Sequence, residues 1–248
     1  PAIFLISYSI FQLVKEEFNI NLNKAQYFAG HSLGEYSALS CSGVLSFEST
    51  IKILKFRGKA MQEAVKEGEG GMLAILGSEL KLLEDIIDQK KSEFECFIAN
   101  DNSNGQIVAS GTLTNIEKFS NYLNSIKIKN IKLPVSAPFH CKLMDKATKL
   151  MKNELDKIIY KEFQTPLISN VTADEINNSM LIKNLLIKQI ESKVRWRESI
   201  NFMIKKGVNN FIEIGPGKVL SGLIKRIDKN VKISAINNEE DISNINIK

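Results

Sequence analysis

Histidine is almost missing from this chain: only His31 and His140 occur in 248 residues. Cysteine is scarce as well, and Cys41, Cys96 and Cys141 form an odd set with no CxxC spacing. So few nitrogen and sulfur ligands argue against a zinc site, and the odd thiol count fits a reducing compartment. No apolar run reaches the roughly 18–20 residues that a membrane span requires, so no membrane partner is expected. The apolar stretch from Pro1 to Val14 is interrupted by Ser7, Tyr8, Ser9 and Gln12. It lacks a basic start and a small-residue cleavage site, which excludes a signal peptide from the reading. The first residue is not methionine and the pattern starts in mid-course, so further chain is expected upstream. Arginine occurs four times, and the net charge of +5 is carried almost wholly by lysine. With no arginine cluster and no interleaved aromatic stripe, no nucleic-acid partner is expected. The abundance of Lys, Asn and Ile reads as codon drift in an AT-rich genome. A lysine-rich face would still attract an acidic protein partner.

What is present describes an ordinary globular protein, with 44% apolar and 25% charged residues. The length fits one large domain or a domain with an insertion. Apolar spacing predicts a helix over 2–18, ending near Asn19, and a short strand over 25–29. Helices are expected from the Gly30-to-Gly34 segment onward to about Cys41 and from about Ser46 to Val65, with Ser46 as cap. The section 67–133 has its own logic. Strands are predicted at 71–77, 95–99, 106–110 and 128–134, with helices at 79–90 and 115–126. The Asn104-Gly105 pair between two strand runs is a hairpin signal. The order β-α-β-β-α-β defines an inserted ferredoxin-like subdomain at 67–133. The remainder, 1–66 and 134–248, alternates strands and helices. It has predicted strands at 167–170, 211–214 and 231–236, and predicted helices at 143–159, 180–191 and 198–206 and from Gly217 to about 227. Such alternation indicates an α/β fold with a parallel sheet covered on both faces. Residues 244–248 read as a polar tail.

Gly30-His31-Ser32-Leu33-Gly34 matches G-x-S-x-G between a strand and a helix. Flanking glycines let backbone pass close to a strained serine, whose hydroxyl then stands at the end of the sheet. The Leu33 N–H falls at a helix start, where donors lack partners and the dipole favours negative charge, so it can serve as an oxyanion donor. A serine nucleophile needs a neighbouring base. His31 is adjacent to Ser32, so its side chain should diverge. Elimination leaves His140, on a loop stiffened by Pro134 and Pro138. Cys141 is adjacent to the base and carries no mark of activation.

Gly-His-Ser-Leu-Gly-Glu-Tyr at 30–36, with Arg57-Gly58 and Pro138-Phe139-His140 beyond it, resembles the malonyl-CoA:acyl carrier protein transacylase family. Gly70-Gly71-Met72, the hairpin from Ala99 to Gly111, Asn170-Val171-Thr172 and Glu213-Ile214-Gly215-Pro216-Gly217 extend the likeness to about residue 237. The resemblance implies an α/β-hydrolase-like parallel-sheet core with a ferredoxin-like insertion. It implies Ser32 as nucleophile and His140 as base, oriented by the backbone carbonyl of Gln189. It also implies that Arg57 binds the free carboxylate of the substrate. Phe139 and Met61, the latter one helical turn beyond Arg57, are candidates for lining the acyl pocket. The family's Gly-Gln-Gly segment, which supplies a second oxyanion donor, lies upstream of the serine strand and is absent from this sequence.

The activity so implied is transfer of malonyl from malonyl-CoA to the phosphopantetheine thiol of acyl carrier protein, through malonyl-Ser32, in type II fatty acid synthesis. No metal or bound cofactor is implied, and a monomer is expected. The compartment would be the cytoplasm in a bacterium, or the plastid in an apicomplexan parasite. Two rival readings remain. A serine esterase or thioesterase would need an acidic partner between Ser32 and His140 in the chain, where Asp88 and Asp101 lie. A non-catalytic docking domain would leave Ser32, His140 and Arg57 without a role.

Overall fold

The computed structural model describes residues 1–18 and 22–243. The end of the first helix expected at Asn19 and the polar tail at 244–248 lie outside the described residues. In chain order the elements are α1 (Ala2–Glu16), β1 (Phe28–Ala29), α2 (Leu33–Cys41), α3 (Phe47–Gln62), β2 (Gly70–Leu76), α4 (Leu80–Gln89) and β3 (Cys96–Ser103). They continue as β4 (Gln106–Thr112), α5 (Leu113–Ser125), β5 (Asn130–Lys132), α6 (Asp145–Leu155), β6 (Leu167–Ile168), β7 (Glu175–Ile176) and α7 (Ser179–Gln189). The last are α8 (Trp196–Lys205), β8 (Asn210–Ile214), α9 (Val219–Ile227), β9 (Lys232–Ile236) and α10 (Glu239–Ser243). Among the described residues, no helix is long and apolar enough to cross a membrane.

The chain divides into two compact units. The first comprises Pro1–Lys55, Ile158–Ile182 and the described chain from Ser199 onward. Its strands pair in parallel, β1 with β6 and β8 with β9, and β7 adds an antiparallel partner to β6. The parallel pairing expected from strand–helix alternation is thus present. It is divided between a three-stranded and a two-stranded sheet, and β7 and α10 are additions to the expected set. Val14, Ile236 and Ile242 are buried together, with Ile212 and Ile214 of β8 packed against them. The Glu213 motif has a structural use here. Its carboxylate accepts the Leu220 and Ser221 N–H groups, at 3.0 and 2.7 Å. A carboxylate at the start of α9 satisfies orphan donors and complements the helix dipole. Ser46 caps α3 by accepting the Ser49 N–H at 3.1 Å.

The second unit comprises Phe56–Lys157 and Lys183–Glu198. Its antiparallel sheet has the order β3-β4-β2-β5, and α4 and α5 complete the sequence β-α-β-β-α-β. One sheet face packs its apolar residues, Leu73, Ile75, Ile107 and Ala109, against Leu83, Ile86 and Ile87 of α4 and Ile116, Phe119 and Leu123 of α5. These are the apolar positions that period-2 strands and period-3.6 helices place on one side. Each fully buried large side chain contributes about 1.5–3 kcal/mol. The hairpin turns at Asn104-Gly105, as its dipeptide predicts, but β3 runs to Ser103 instead of ending at Ala99. Two register shifts, at Ile98/Asn100 and Asp101/Ser103, carry the pairing past that point. Asn100 forms a parallel bridge with Val194. Val194 N–H donates to the Ala99 carbonyl at 2.8 Å and Asp101 N–H to the Val194 carbonyl at 2.9 Å. The segment that follows α7 is thereby stitched to β3. The strand expected to reach Pro134 ends at Lys132. A proline has no N–H to continue the ladder.

Candidate active site

In the first unit, β1 leads through Gly30 and His31 to Ser32, which immediately precedes α2. Ser32 has φ 54° and ψ −107°, a strained combination for a residue with a Cβ. Such conformations cost about 1–3 kcal/mol each and persist where surroundings enforce them. Two features enforce this one. A Cβ on Gly30 would lie 2.0 Å from the Gly34 carbonyl oxygen, so only glycine lets the helix start so close to the strand. Gly34 itself has open space where a Cβ would stand; of the two flanking glycines, only the first is required by packing. The second feature is Asn170, two residues beyond β6 and 1% exposed. Its side-chain oxygen accepts the Ser32 N–H at 2.7 Å, and its amide nitrogen donates to the Gly30 carbonyl at 2.8 Å. The Asn170 N–H faces both carboxylate oxygens of fully buried Glu35 at 3.4 Å. Leu33 is the first residue of α2, so its N–H has no acceptor within the helix.

In the second unit, His140 follows the proline loop and also has a positive φ, 59°. It is buried, at 4% exposure. Neighbouring backbone is held on several sides. Ser110 Oγ donates to the Phe139 carbonyl at 2.6 Å, and the Cys141 thiol to the Pro138 carbonyl at 3.1 Å. A Cβ on Gly70 would lie 2.3 Å from Cδ of Pro138, so the loop seats on a bare stretch of β2. His140 Nδ1 lies 2.9 Å from the Gln189 carbonyl oxygen. A carbonyl only accepts, so Nδ1 carries the proton and Nε2 of the neutral ring is left as the basic nitrogen.

Arg57, in the second half of α3, is 7% exposed and donates from Nη2 to Gln189 Oε1 at 3.0 Å. Gln189 therefore touches both His140 and Arg57, by its main chain and its side chain. Met61 is buried. Phe139 is partly buried and packs beside Met72, Ala74, Ala99 and Val108 of the sheet. Burial pushes the Cys141 thiol up to about 11, which leaves it neutral and weakly nucleophilic at neutral pH. The acids that a hydrolase reading requires are placed otherwise: Asp88 is exposed, and buried Asp101 accepts from Arg197 Nε at 2.9 and 3.1 Å. Among the described residues, no group of three or more His, Cys, Asp or Glu is placed to hold a metal.

The sequence reading assigned no role to Asn170 or Glu35, although both stand in segments that it singled out. Nothing local marks a side chain that closes a turn 138 residues away.

The acyl transferase domain model matches residues 1–242. The malonyl CoA-acyl carrier protein transacylase of Bacillus subtilis is 43% identical over 98% of this chain and 76% of its own length. The chain belongs to the malonyl-CoA:acyl carrier protein transacylase family. Among solved structures of the family, the Clostridium perfringens transacylase matches with a TM-score of 0.93 and 39% identity, over 98% of this chain and 76% of that one. A malonyl-transacylase solved in complex with a type II polyketide synthase acyl-carrier protein matches with a TM-score of 0.91 and 34% identity, over 97% and 77%.

Proposed function

We infer that this chain is a malonyl-CoA:acyl carrier protein S-malonyltransferase of type II fatty acid synthesis, with Ser32 as nucleophile and His140 as base. The observation that carries the reading is the grouping at Gln189. A base whose Nδ1 faces a backbone carbonyl and a buried arginine fit a reaction on an acyl group with its own carboxylate. Arg57 receives that carboxylate, since a guanidinium matches a carboxylate by two parallel hydrogen bonds. His140 Nε2 takes the Ser32 proton as Oγ attacks the thioester carbonyl. The resulting oxyanion is met by the Leu33 N–H. The carbon–sulfur bond then breaks, the proton passes from His140 to the departing CoA thiol, and malonyl-Ser32 remains. The phosphopantetheine thiol of acyl carrier protein repeats these steps, releasing the malonyl thioester and restoring the serine, which gives ping-pong kinetics. A neutral carbonyl behind His140 stabilises an imidazolium less than a carboxylate would, which favours a thiol over water as acceptor.

Within the same reading, 67–133 is a ferredoxin-like insertion in a hydrolase-like core of 1–66 and 134–248. Met61 and Phe139 border the acyl group, and Phe139 disfavours a branched one. The protein works as a monomer on malonyl-CoA and carrier protein without a cofactor. Its compartment is the one that holds both substrates, the cytoplasm in a bacterium.

Intact-protein mass tests the reading directly. Mixing with malonyl-CoA should add one malonyl group, and holo acyl carrier protein should then remove it. Ser32→Ala should abolish the adduct and Cys141→Ala should keep it. An adduct that survives in Ser32→Ala, or malonyl lost to water as fast as to carrier protein, would overturn the assignment.

A further inference from the structure

We propose that the side chain of Gln189 is a positioning residue for acyl selectivity: it holds Arg57 oriented for a carboxylated acyl group. This rests on the reading of Arg57 given above and extends it to a group that the reading leaves without a task. Gln189 ends α7 and is 1% exposed. Its two acceptors are divided. The main-chain oxygen takes His140 Nδ1 at 2.9 Å, and Oε1 takes Arg57 Nη2 at 3.0 Å.

The choice of a neutral amide has a physical consequence. An amide oxygen fixes the direction of a guanidinium without cancelling its charge, so the attraction for an incoming carboxylate is kept. A carboxylate in its place would form an ion pair, which the substrate would have to displace. An aliphatic side chain would remove the acceptor and let the long arginine side chain reorient. The residue is also held from behind. Val194, five residues on, is stitched to Ala99 and Asp101, and Arg197 clasps Asp101. The position of Gln189 is thus set by β3, independently of its side chain.

The division of labour makes the idea separable from a merely structural role. Any substitution at 189 keeps a main-chain carbonyl, so the His140 tautomer is preserved while the hold on Arg57 changes. Rates of acyl-enzyme formation with malonyl-CoA and with acetyl-CoA are the readout, in wild type, Gln189→Glu and Gln189→Met. In Gln189→Glu, malonyl kcat/KM should fall by about 100-fold or more, chiefly through KM, and at least about tenfold further than acetyl kcat/KM. Gln189→Met keeps the volume and should lower the malonyl rate by about tenfold; it carries the test if the charged variant does not fold. The pH profile of acetyl transfer should be unshifted in both. Equal losses for the two acyl groups, a displaced pH profile, or malonyl rates unchanged in both variants would overturn the proposal. Failure of wild type to form any acyl-serine would instead overturn the transferase reading, and with it this extension.

Discussion

Asn170 closes the turn that carries Ser32, accepting the Ser32 N–H at 2.7 Å and donating to the Gly30 carbonyl at 2.8 Å with the same carboxamide. A donor and an acceptor of one strained turn are thus satisfied by one side chain. Asn170→Ala leaves both backbone groups without this partner. Each buried group so stranded costs about 1–3 kcal/mol. The expected outcome is an unfolding free energy in urea lowered by that order and a rate of malonyl-Ser32 formation lowered about 10- to 100-fold. Asn170→Asp should do no better, because a carboxylate cannot donate to Gly30 and would sit against the buried Glu35. Acylation at the wild-type rate in both variants would show that the turn holds its shape without this residue.

The glycines on either side of the serine should respond oppositely. Gly30→Ala drives a Cβ to 2.0 Å from the Gly34 carbonyl and 2.7 Å from the Glu35 nitrogen, both backbone atoms that cannot swing away. We expect at least about 3 kcal/mol of lost stability, or no folded protein, by circular dichroism and urea titration. Gly34→Ala meets nothing within 4 Å. Inside a helix, alanine for glycine should raise stability by about 0.5–1 kcal/mol. A folded Gly30→Ala protein of normal stability would contradict the packing argument.

Arg57→Ala should exchange selectivity for little loss of acetyl transfer. Removing one partner of a buried charge pair costs about 2–5 kcal/mol, or roughly 30- to several-thousand-fold. The malonyl-to-acetyl ratio of kcat/KM should fall by that factor, as followed by mass spectrometry of the acyl-enzyme. Arg57→Lys should recover only part of it, because an ammonium cannot offer the planar two-point contact. An unchanged ratio would remove Arg57 from the acyl site.

Alkaline stability should report on two buried thiols. Burial pushes Cys96 up to about 12 and Cys141 to about 11 in the folded protein. An exposed thiol in the unfolded chain ionises near 8.5. Below that pH both states hold the proton and stability is insensitive to it. Above it the unfolded chain releases protons that the folded one retains, so stability falls as pH rises toward about 11. Two such groups give a limiting slope of about 3 kcal/mol per pH unit. Urea midpoints measured from pH 7 to 10 should show this decline. Cys96→Ala/Cys141→Ala, whatever its baseline, should reduce the slope by that amount and leave the share of Cys41, which burial also pushes up to about 12; an equal slope in the double variant would assign the decline to other groups.

Much of this protein was legible before folding was considered, and for a definite reason. Strand and helix positions follow from apolar period, which is a local property. The faces of α4 and α5 carry their buried residues, Leu83, Ile86, Ile87, Ile116, Phe119 and Leu123, at the spacing that the sequence displays. The hairpin at Asn104-Gly105 is likewise written in a dipeptide. Boundaries were less legible: β3 continues through Asn100 and Asp101 because Val194, far along the chain, gives that edge a partner.

By itself the sequence determined the serine turn, by placing a glycine where no Cβ fits, and left one candidate base by offering so few histidines. Tertiary structure alone decided what holds these groups. The carboxamide of Asn170, the buried positive-φ backbone of His140, and the carbonyl and side chain of Gln189 behind His140 and Arg57 came only from the folded chain. A main-chain carbonyl has no residue type to announce it. A hydrogen bond spanning 138 residues exists only after apolar packing has brought its ends together.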